Sequence, residues 1–494
     1  MERKQKAPIS SRGNNNHPTA AGCTEEAEVK EMAKDLRTFL RDLEKALPED
    51  IVRVKKEISP KFEITALQQH LENRDRYPLL IFEKVKNLHG RPSTFKVITN
   101  IFASRQKCTV AMGLPADKWR METSFEFAKR CGNLIKPIVV GKKDAPVKEV
   151  VKTGNDVDLR ELPVLTHHEM DGYPYLVDAI VAADPDTGAY NSSHHRMLIR
   201  GKDELGLWMS PRHLWNYCMR AAEKGKALPI AHVIGHHPGF YLGTEALVGM
   251  EADEYEVIGG VLNEPLRLVA SEAYGEELLV PADAEIIVEG EVIPNVRDAE
   301  GPFGEFTGYY GPQRWGPVVK VKAITYRKDA YYLNILVGHP DTSILGGIPK
   351  EAGIYDEVRK SVPGVKAVHF PISGCCRFHA YISIEKRCDG EGKVAAVASL
   401  PYHDELKHVV VVDSDVDPFN EKEVLWAVAT RVQAGDDVEI MRRLRGGALD
   451  PSAYIHAVGD KMLIDATRPI SRPYSERIKI PQEVMDRIKL EEWI

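Results

Sequence analysis

Apolar residues follow helical spacing near the start of the chain. They recur every three or four positions over residues 32–47, as one face of an amphipathic helix does, and Pro48 ends the pattern. Residues 1–27 are polar and have no such period, so we expect a disordered tail there. The apolar positions are Met32, Leu36, Phe39, Leu40, Leu43 and Leu47.

Short apolar runs such as Pro78–Phe82 alternate with helical stretches up to about residue 130, and strands dominate from about residue 160. Residues 176–183 predict a strand, 184–188 a turn, and 189–199 the returning strand. Many strands joined by Gly/Pro turns indicate a barrel or a sandwich in the middle of the chain. Further strands are predicted at 228–234, 284–288, 318–326 and 331–337, and one helix at 246–259.

Strands and helices alternate again after residue 340, which indicates a final α/β unit. Its predicted strands are 366–370, 378–384 and 408–412, and its predicted helix is 423–432. The predicted domains are a mixed α/β domain over 28–135, a β-rich domain over 136–335, and an α/β domain over 336–467. Residues 468–494 are rich in proline and charge and then helical, so we expect a tail or helix that docks on a neighbouring subunit.

Composition excludes several classes of protein. A chain of 494 residues is too long for one core, so two to four domains are expected. The 66 Lys and Arg against 73 Asp and Glu give a net charge of −7, and no basic balance points to nucleic acid. There is no run of apolar residues long enough to span a membrane and no signal peptide. Seven cysteines without a C-x-x-C pair predict reduced thiols in a cytoplasmic protein.

Two carboxylates flank a tight loop at Glu300–Glu305, which reads EGPFGE. Glycine accepts positive φ and proline fixes φ, so such a loop can hold both carboxylates towards one point. If their environments differ, their pKa values separate, which is what one acid and one base require. The alternative is an exposed turn whose two glutamates are solvated.

A second polar cluster lies on the returning strand at Asn191–Arg196, and Ser210–His213 resembles it in composition. Asparagine and histidine are suitable ligands for a divalent ion, and arginine binds carboxylate or phosphate in bidentate fashion. Each histidine taken alone is more often a hydrogen-bonded structural residue. Zinc-protease, dinucleotide-binding, P-loop and serine-hydrolase motifs are absent from the sequence.

Taken in order, these motifs resemble the UbiD-like decarboxylases, which use prenylated FMN. The likeness covers residues 35–467, and its most specific part is V-P-A-x-A-E-I followed by E-G-P-[FY]-G-[ED]. The matching segments are Asn191–Arg196, His213, Val280–Gly290, Glu300–Glu305, Ile324–Arg327, Asp413–Asp417 and Gly459–Thr467.

The resemblance implies a fold with an N-terminal mixed α/β domain, a central split β-barrel like that of flavin reductases, and a C-terminal α/β domain that mediates oligomerisation. It implies reversible, non-oxidative decarboxylation of an aromatic, heteroaromatic or α,β-unsaturated carboxylic acid through a covalent adduct with prenylated FMN. Arg196 paired with Glu300 would orient the substrate carboxylate, and Glu305 would protonate the product carbon. The cofactor would be lined by His194, His195, Arg196, Met209, Ser210, Pro211 and His213.

The resemblance also implies a divalent metal, Mn²⁺ or Mg²⁺, held by Asn191 and His213, with K⁺ nearby. Arg267 stands where the family's third ligand, a glutamate, is expected. Glu272 is the nearest carboxylate that can substitute, and Glu264 is a further candidate.

The expected partners are a small carboxylic acid, a flavin prenyltransferase that supplies the cofactor, and further copies of the chain in a homodimer or homohexamer. Residues 377–379 are candidates to bind a polar group or second carboxylate on the substrate. The main alternative is a flavin-binding redox enzyme on the same scaffold. A glycosidase is a weaker alternative, because the chain offers few aromatic side chains on which a sugar could stack. A non-catalytic binding protein is also weaker, because Arg196, Glu300 and Glu305 are all retained.

Overall fold

The computed structural model describes residues 33–494, so the predicted tail and the first position of the predicted helix lie outside the described residues. Within that range, no helix is both long and apolar enough to cross a membrane. The six cysteines in this range are free thiols, as predicted.

Helices and strands alternate along the whole described chain. The helices are α1 Leu36–Ala46, α2 Glu63–Glu72, α3 Arg105–Ala111, α4 Met121–Cys131, α5 His213–Glu223, α6 Pro238–Gly243, α7 Glu254–Leu262, α8 Pro340–Ser361, α9 Glu391–Ser399, α10 Glu421–Arg431, α11 Ala434–Asp437 and α12 Gln482–Arg487. The strands are β1 Ile51–Val54, β2 Leu79–Phe82, β3 Lys96–Thr99, β4 Ile138–Val139, β5 Val150–Thr153, β6 Tyr175–Leu176, β7 Ala179–Ala183, β8 Tyr190–His194, β9 Met197–Ile199, β10 Glu204–Leu207, β11 Leu228–Ile234, β12 Arg267–Ser271, β13 Gly275–Pro281, β14 Ile286–Glu300, β15 Phe303–Gly304, β16 Tyr310–Gly311, β17 Arg314–Tyr326, β18 Tyr331–Leu333, β19 Val365–His369, β20 His379–Ile384, β21 His408–Asp413, β22 Val438–Arg445 and β23 Val458–Ala466.

The central sheet positions the candidate site. Its strand order is β6-β9-β10-β17-β14-β11-β7-β8, with β5 also paired to β17. Register shifts occur in the pairing of β14 with β17, between Glu289 and Gly290 and between Val292 and Arg297. Such irregularities bend a strand and increase its twist. The sheet curls into a half-barrel within a mixed α/β molecule.

Two smaller sheets flank the half-barrel. The first has the order β1-β2-β3-β18, so the strand that follows the half-barrel in sequence completes the N-terminal sheet. The second has the order β19-β20-β21-β23-β22 and carries α9 and α10. The boundaries of the three predicted domains remain a prediction. β18 lies within the predicted central domain by residue number, but it pairs with β3 of the predicted N-terminal domain.

Several predicted elements differ from those observed. The returning strand is broken between His194 and Met197, and the helix predicted at 246–259 begins only at Glu254. The 22-residue helix α8 was missed, because Gly346, Gly347 and Pro349 inside it are poor helix formers. These three residues and most of those around them are buried, so tertiary packing outweighs the low propensity.

Candidate active site

Three segments of the half-barrel bring the predicted catalytic side chains together. Arg196 lies in the break between β8 and β9, Glu300 is the last residue of β14, and Glu305 follows β15 directly. Gly301 turns the chain between the two glutamates with φ of 88°, a conformation that other residues rarely adopt. The loop is therefore shaped as its sequence predicts.

Arg196 binds both glutamates. Its Nε donates to Glu300 Oε1 at 2.8 Å and its Nη2 donates to Glu300 Oε2 at 3.1 Å, a bidentate pair. Its Nη1 donates to Glu305 Oε1. Trp208 and Phe303 cover the guanidinium, with ring centroids 5.4 and 5.0 Å from Cζ.

One cation therefore faces two carboxylates in a buried site. Glu300 is fully buried and Glu305 is 7% exposed. Burial raises the pKa of Glu305, and the charge of Glu300 adds to this, while the Arg196 guanidinium opposes it. The net direction is upward, so Glu305 is suited to hold a proton close to a substrate.

A cavity of about 1110 Å³ opens beside these residues. Arg196 and Glu305 line it on one side, and Arg377 and Lys350 from the C-terminal part of the chain line it as well. Apolar side chains, among them Phe303, Phe306, Ile335 and Leu345, form much of the remaining wall. The space is ample for a flavin-sized cofactor together with a small acid.

Four of the other predicted cofactor-lining residues also face this cavity, namely His194, His195, Ser210 and His213. Met209 and Pro211 are not among its lining residues, and Pro211 is exposed. Burial lowers the pKa of His195 to about 4, which keeps its ring neutral, and Ser193 Oγ lies 2.9 Å from its Nε2. Two polar atoms on the cavity wall, Ser192 Oγ and His194 Nε2, are buried and have no hydrogen-bond partner among the described residues.

The predicted metal ligands Asn191 and His213 lie together, and the carboxylate between them is Glu254. Asn191 Nδ2 donates to Glu254 Oε1 at 2.7 Å, and His213 Nδ1 lies 3.1 Å from the same oxygen. The backbone N–H of Ser192 donates to Glu254 Oε2 at 2.8 Å. An amide, an imidazole and a carboxylate thus converge on one side of the cavity.

The structure does not bring Glu272, the predicted third ligand, to this cluster, and the carboxylate that lies there is that of Glu254. Glu272 Oε1 instead binds Lys142 Nζ at 2.8 Å, and Arg267 binds Asp283 at 2.7 Å. The sequence reasoning missed Glu254 because it began the helix at residue 246 and so placed position 254 inside it. Asp253, whose side chain accepts from the Tyr255 N–H, is the N-cap signal that marks the true start.

His167, His168 and Asp171 form a further polar cluster beside the Glu305 loop. Asp171 Oδ1 accepts from the Gly304 N–H at 2.9 Å and Oδ2 accepts from the His168 N–H at 2.9 Å. Asp171 therefore anchors the backbone immediately before Glu305.

Family models match most of the chain. They are the N-terminal, Rift-related and C-terminal domains of 3-octaprenyl-4-hydroxybenzoate carboxy-lyase (UbiD), over residues 41–121, 138–340 and 343–466 respectively. The chain is 36% identical over 434 residues to anhydromevalonate phosphate decarboxylase of Methanothermobacter thermautotrophicus, which covers 87% of this chain and 97% of that protein. It is 34% identical to phenolic acid decarboxylase of Sedimentibacter hydroxybenzoicus, covering 88% of this chain and 92% of that protein.

Solved structures of similar fold include the UbiD-class enzyme HmfF from Pelotomaculum thermopropionicum in complex with FMN. It superimposes with a TM-score of 0.86 at 41% identity, covering 93% of this chain and all (100%) of that one. An evolved dimeric form of HmfF in complex with prFMN gives a TM-score of 0.83 at 39% identity, covering 94% and 100% of the two chains. These comparisons confirm the resemblance that the sequence motifs indicate.

Proposed function

The chain belongs to the UbiD family of decarboxylases, and we propose that its reaction takes place at the Arg196–Glu300–Glu305 cluster. The observation that carries this proposal is one buried guanidinium bound by two carboxylates at the wall of a large cavity. This arrangement provides both a cationic site for a substrate carboxylate and an acid of raised pKa beside it.

We propose that prenylated FMN binds in the cavity, held by His194, His195, Arg196, Ser210 and His213. The cavity volume and the unpartnered Ser192 Oγ and His194 Nε2 support this, because buried polar atoms require a hydrogen-bond partner. When bound, the cofactor supplies the electron sink that loss of CO₂ from an sp² carbon needs. The FMN and prFMN complexes of HmfF support the choice of a flavin.

The protein's own residues then supply orientation and a proton. Arg196 attracts the substrate carboxylate, while Glu300 fixes the guanidinium by its bidentate contact. Once CO₂ has left, Glu305 transfers its carboxyl proton to the carbon that carried it and becomes a carboxylate, which solvent protonates again. In the reverse direction Glu305 removes that proton before CO₂ adds.

We propose that Asn191, His213 and Glu254 hold a divalent ion, Mn²⁺ or Mg²⁺. The Asn191 amide oxygen, the His213 ring nitrogen and the Glu254 carboxylate match the donors these ions accept. The contacts that Asn191 and His213 make with the same Glu254 oxygen support the proposal, since they hold the three side chains together. A nearby K⁺ remains a prediction from the resemblance.

We propose that the substrate is an aromatic, heteroaromatic or α,β-unsaturated carboxylic acid. Relatives are named for phenolic acids and for anhydromevalonate phosphate, one class without and one with a phosphate group.

We propose that a flavin prenyltransferase supplies the cofactor and that the chain assembles into a homodimer or homohexamer. Exposed apolar side chains in the C-terminal part, such as Leu425, Ile440 and Ile455, support an interface there.

A direct test is to co-express the chain with a flavin prenyltransferase and to record the absorbance spectrum and mass of the bound cofactor. The holoenzyme is then assayed for CO₂ release against a panel of aromatic and α,β-unsaturated acids. We expect prenylated FMN and CO₂ release. Unmodified flavin together with hydride-transfer activity would instead support the redox alternative.

A further inference from the structure

Arg377 lines the cavity described above, yet the protein satisfies its guanidinium poorly. Nη1 donates to the carbonyl oxygens of Ser343 and Cys376 at 3.4 Å each, and Nε lies 3.7 Å from Glu405 Oε2. Strong N–H···O bonds are about 2.7–3.2 Å long. Within residues 33–494, no hydrogen bond is formed by Nη2.

The charge of Arg377 is also incompletely balanced. Arg377 is 9% exposed, and a guanidinium remains charged at physiological pH. Its nearest carboxylate, Glu405, is shared with His403, whose Nε2 lies 3.4 Å away. Within residues 33–494, no carboxylate accepts a hydrogen bond from Nη1 or Nη2, so both atoms can donate to an anion that enters the cavity.

Arg377 contacts the residue that follows the proposed proton donor. Its Cζ is 5.4 Å from the ring centroid of Phe306, the residue that follows Glu305. Both residues line the same cavity as Arg196. A molecule whose carboxylate faces Arg196 therefore occupies the same cavity that Arg377 lines.

The fold around Arg377 is shaped to admit its side chain. A Cβ atom added to Gly346 of α8 would lie 1.8 Å from Arg377 Nη2. A Cβ atom added to Gly347 would lie 2.8 Å from Cys376 Cβ. Cys375 and Cys376 both have positive φ, 55° and 50°, which is unfavourable for residues with a side chain. The two glycines of α8 leave space for the Arg377 side chain, and the turn at Cys375 and Cys376 directs its guanidinium into the cavity.

We propose that the substrate carries a second anionic group, a carboxylate or a phosphate, and that Arg377 binds it as the specificity-determining residue. The inference rests on the proposed decarboxylase function and narrows its substrate class. The planar guanidinium suits bidentate binding of either group.

The experiment uses matched acids on the holoenzyme. The pairs are cinnamate with 4-carboxycinnamate, but-2-enoate with its 4-phosphonooxy derivative, and 4-hydroxybenzoate with 4-phosphonooxybenzoate. We expect at least one dianion to exceed its monoanion in kcat/KM about tenfold or more, mainly through KM, since charged hydrogen bonds have energies of that size. Calorimetric titration of the same acids gives the affinity ratio where turnover is slow. Comparison of carboxylate and phosphate pairs distinguishes the two groups.

Variants test whether Arg377 causes the preference. Arg377→Gln is expected to lower kcat/KM for the dianion more than for the monoanion and so to remove the preference, and Arg377→Lys is expected to retain part of it. Gly346→Ala keeps the charge but displaces the guanidinium, so it should reduce the preference too. Arg445→Gln is the matched control, because its side chain is 83% exposed at the cavity and pairs with Asp404.

The outcomes separate this inference from the proposed function. Equal affinity for monoanions and dianions, or an unchanged preference in Arg377→Gln, would overturn the inference and leave the decarboxylase proposal standing. Loss of bound flavin in Arg377→Gln, with the dianion preference retained, would assign Arg377 to the cofactor instead. Absence of CO₂ release from any acid, with dianion-selective binding intact, would contradict the function and not the inference.

Discussion

Glu300 and Glu305 share the single guanidinium of Arg196. The ratio of two carboxylates to one cation governs how the pair is protonated. With both acids ionised, the cluster carries a net negative charge in a buried site, which is unfavourable. One proton neutralises it, and the raised pKa of Glu305 places that proton on Glu305. The bidentate contact holds Glu300 against Arg196.

Glu305→Gln tests the role of the proton donor. The amide keeps the size of the side chain but cannot deliver a proton, so we expect CO₂ release to fall by about a hundredfold or more. Cofactor spectrum and stoichiometry should be unchanged. Glu277→Gln on the exposed part of β13 is the control. A fully active Glu305→Gln enzyme would refute the assignment.

The pH profile is a second test at the residue scale. Decarboxylation requires Glu305 in its protonated form, and burial raises its pKa above the ordinary value. We therefore expect kcat/KM to decrease as the pH rises through that raised pKa, and carboxylation to show the opposite limb. Steady-state rates measured across pH on one acid decide this. A decarboxylation rate that increases with pH over the same interval would argue against Glu305 as the acid.

At the scale of elements, the first residue of α7 supplies the carboxylate that sequence reasoning placed elsewhere. Asp253 caps this helix, and Glu254 is directed towards Asn191 and His213. The strand that carries Asn191 was predicted, whereas β14, which ends at Glu300, was predicted only over 284–288, and α5, which begins at His213, was not predicted. The break between β8 and β9 at Arg196 was not predicted, because it depends on the contacts of the Arg196 guanidinium with Glu300 and Glu305.

Glu254→Gln and Glu272→Gln form a matched pair for the metal site. Glutamine lacks the negative charge that a divalent ion requires, so we expect Glu254→Gln to lower Mn²⁺ affinity by about tenfold or more. Glu272→Gln should leave it unchanged, because that side chain binds Lys142. Metal content by mass spectrometry and Mn²⁺ titration provide the measurement. Equal losses in both variants would contradict the assignment of Glu254.

At the scale of the whole molecule, Glu351 in the missed helix α8 connects distant parts of the chain. Its two oxygens each accept from Arg105 of α3 at 2.8 Å, and His369 Nδ1 lies 3.0 Å from Oε1. Burial alone would raise its pKa, but Arg105 and His369 outweigh burial and lower the pKa to about 2.

Glu351→Gln should therefore destabilise the fold by about 3–5 kcal/mol, because it leaves Arg105 buried without its partner. The folded pKa lies below the ordinary value of 4.5, so the stabilisation is present above pH 4.5 and is lost as the pH falls towards 2. Denaturant unfolding at neutral and acidic pH measures both effects. Glu357→Gln, on the same helix with an exposed partner, should change stability by less than about 0.5 kcal/mol. Similar losses in the two variants would contradict this account.

The sequence by itself determined the family and several strands of the half-barrel, and it named Arg196, Glu300, Glu305, Asn191 and His213 as candidate site residues. These follow from local signals: alternating apolar residues, glycine and proline in a tight loop, and a motif in a fixed order. Only the tertiary structure decided that Glu254 joins Asn191 and His213, that α8 is a helix, and that Arg377 enters the cavity. Each of these depends on contacts between residues far apart in the chain, whose energies outweigh local propensity and leave no pattern in the neighbouring sequence.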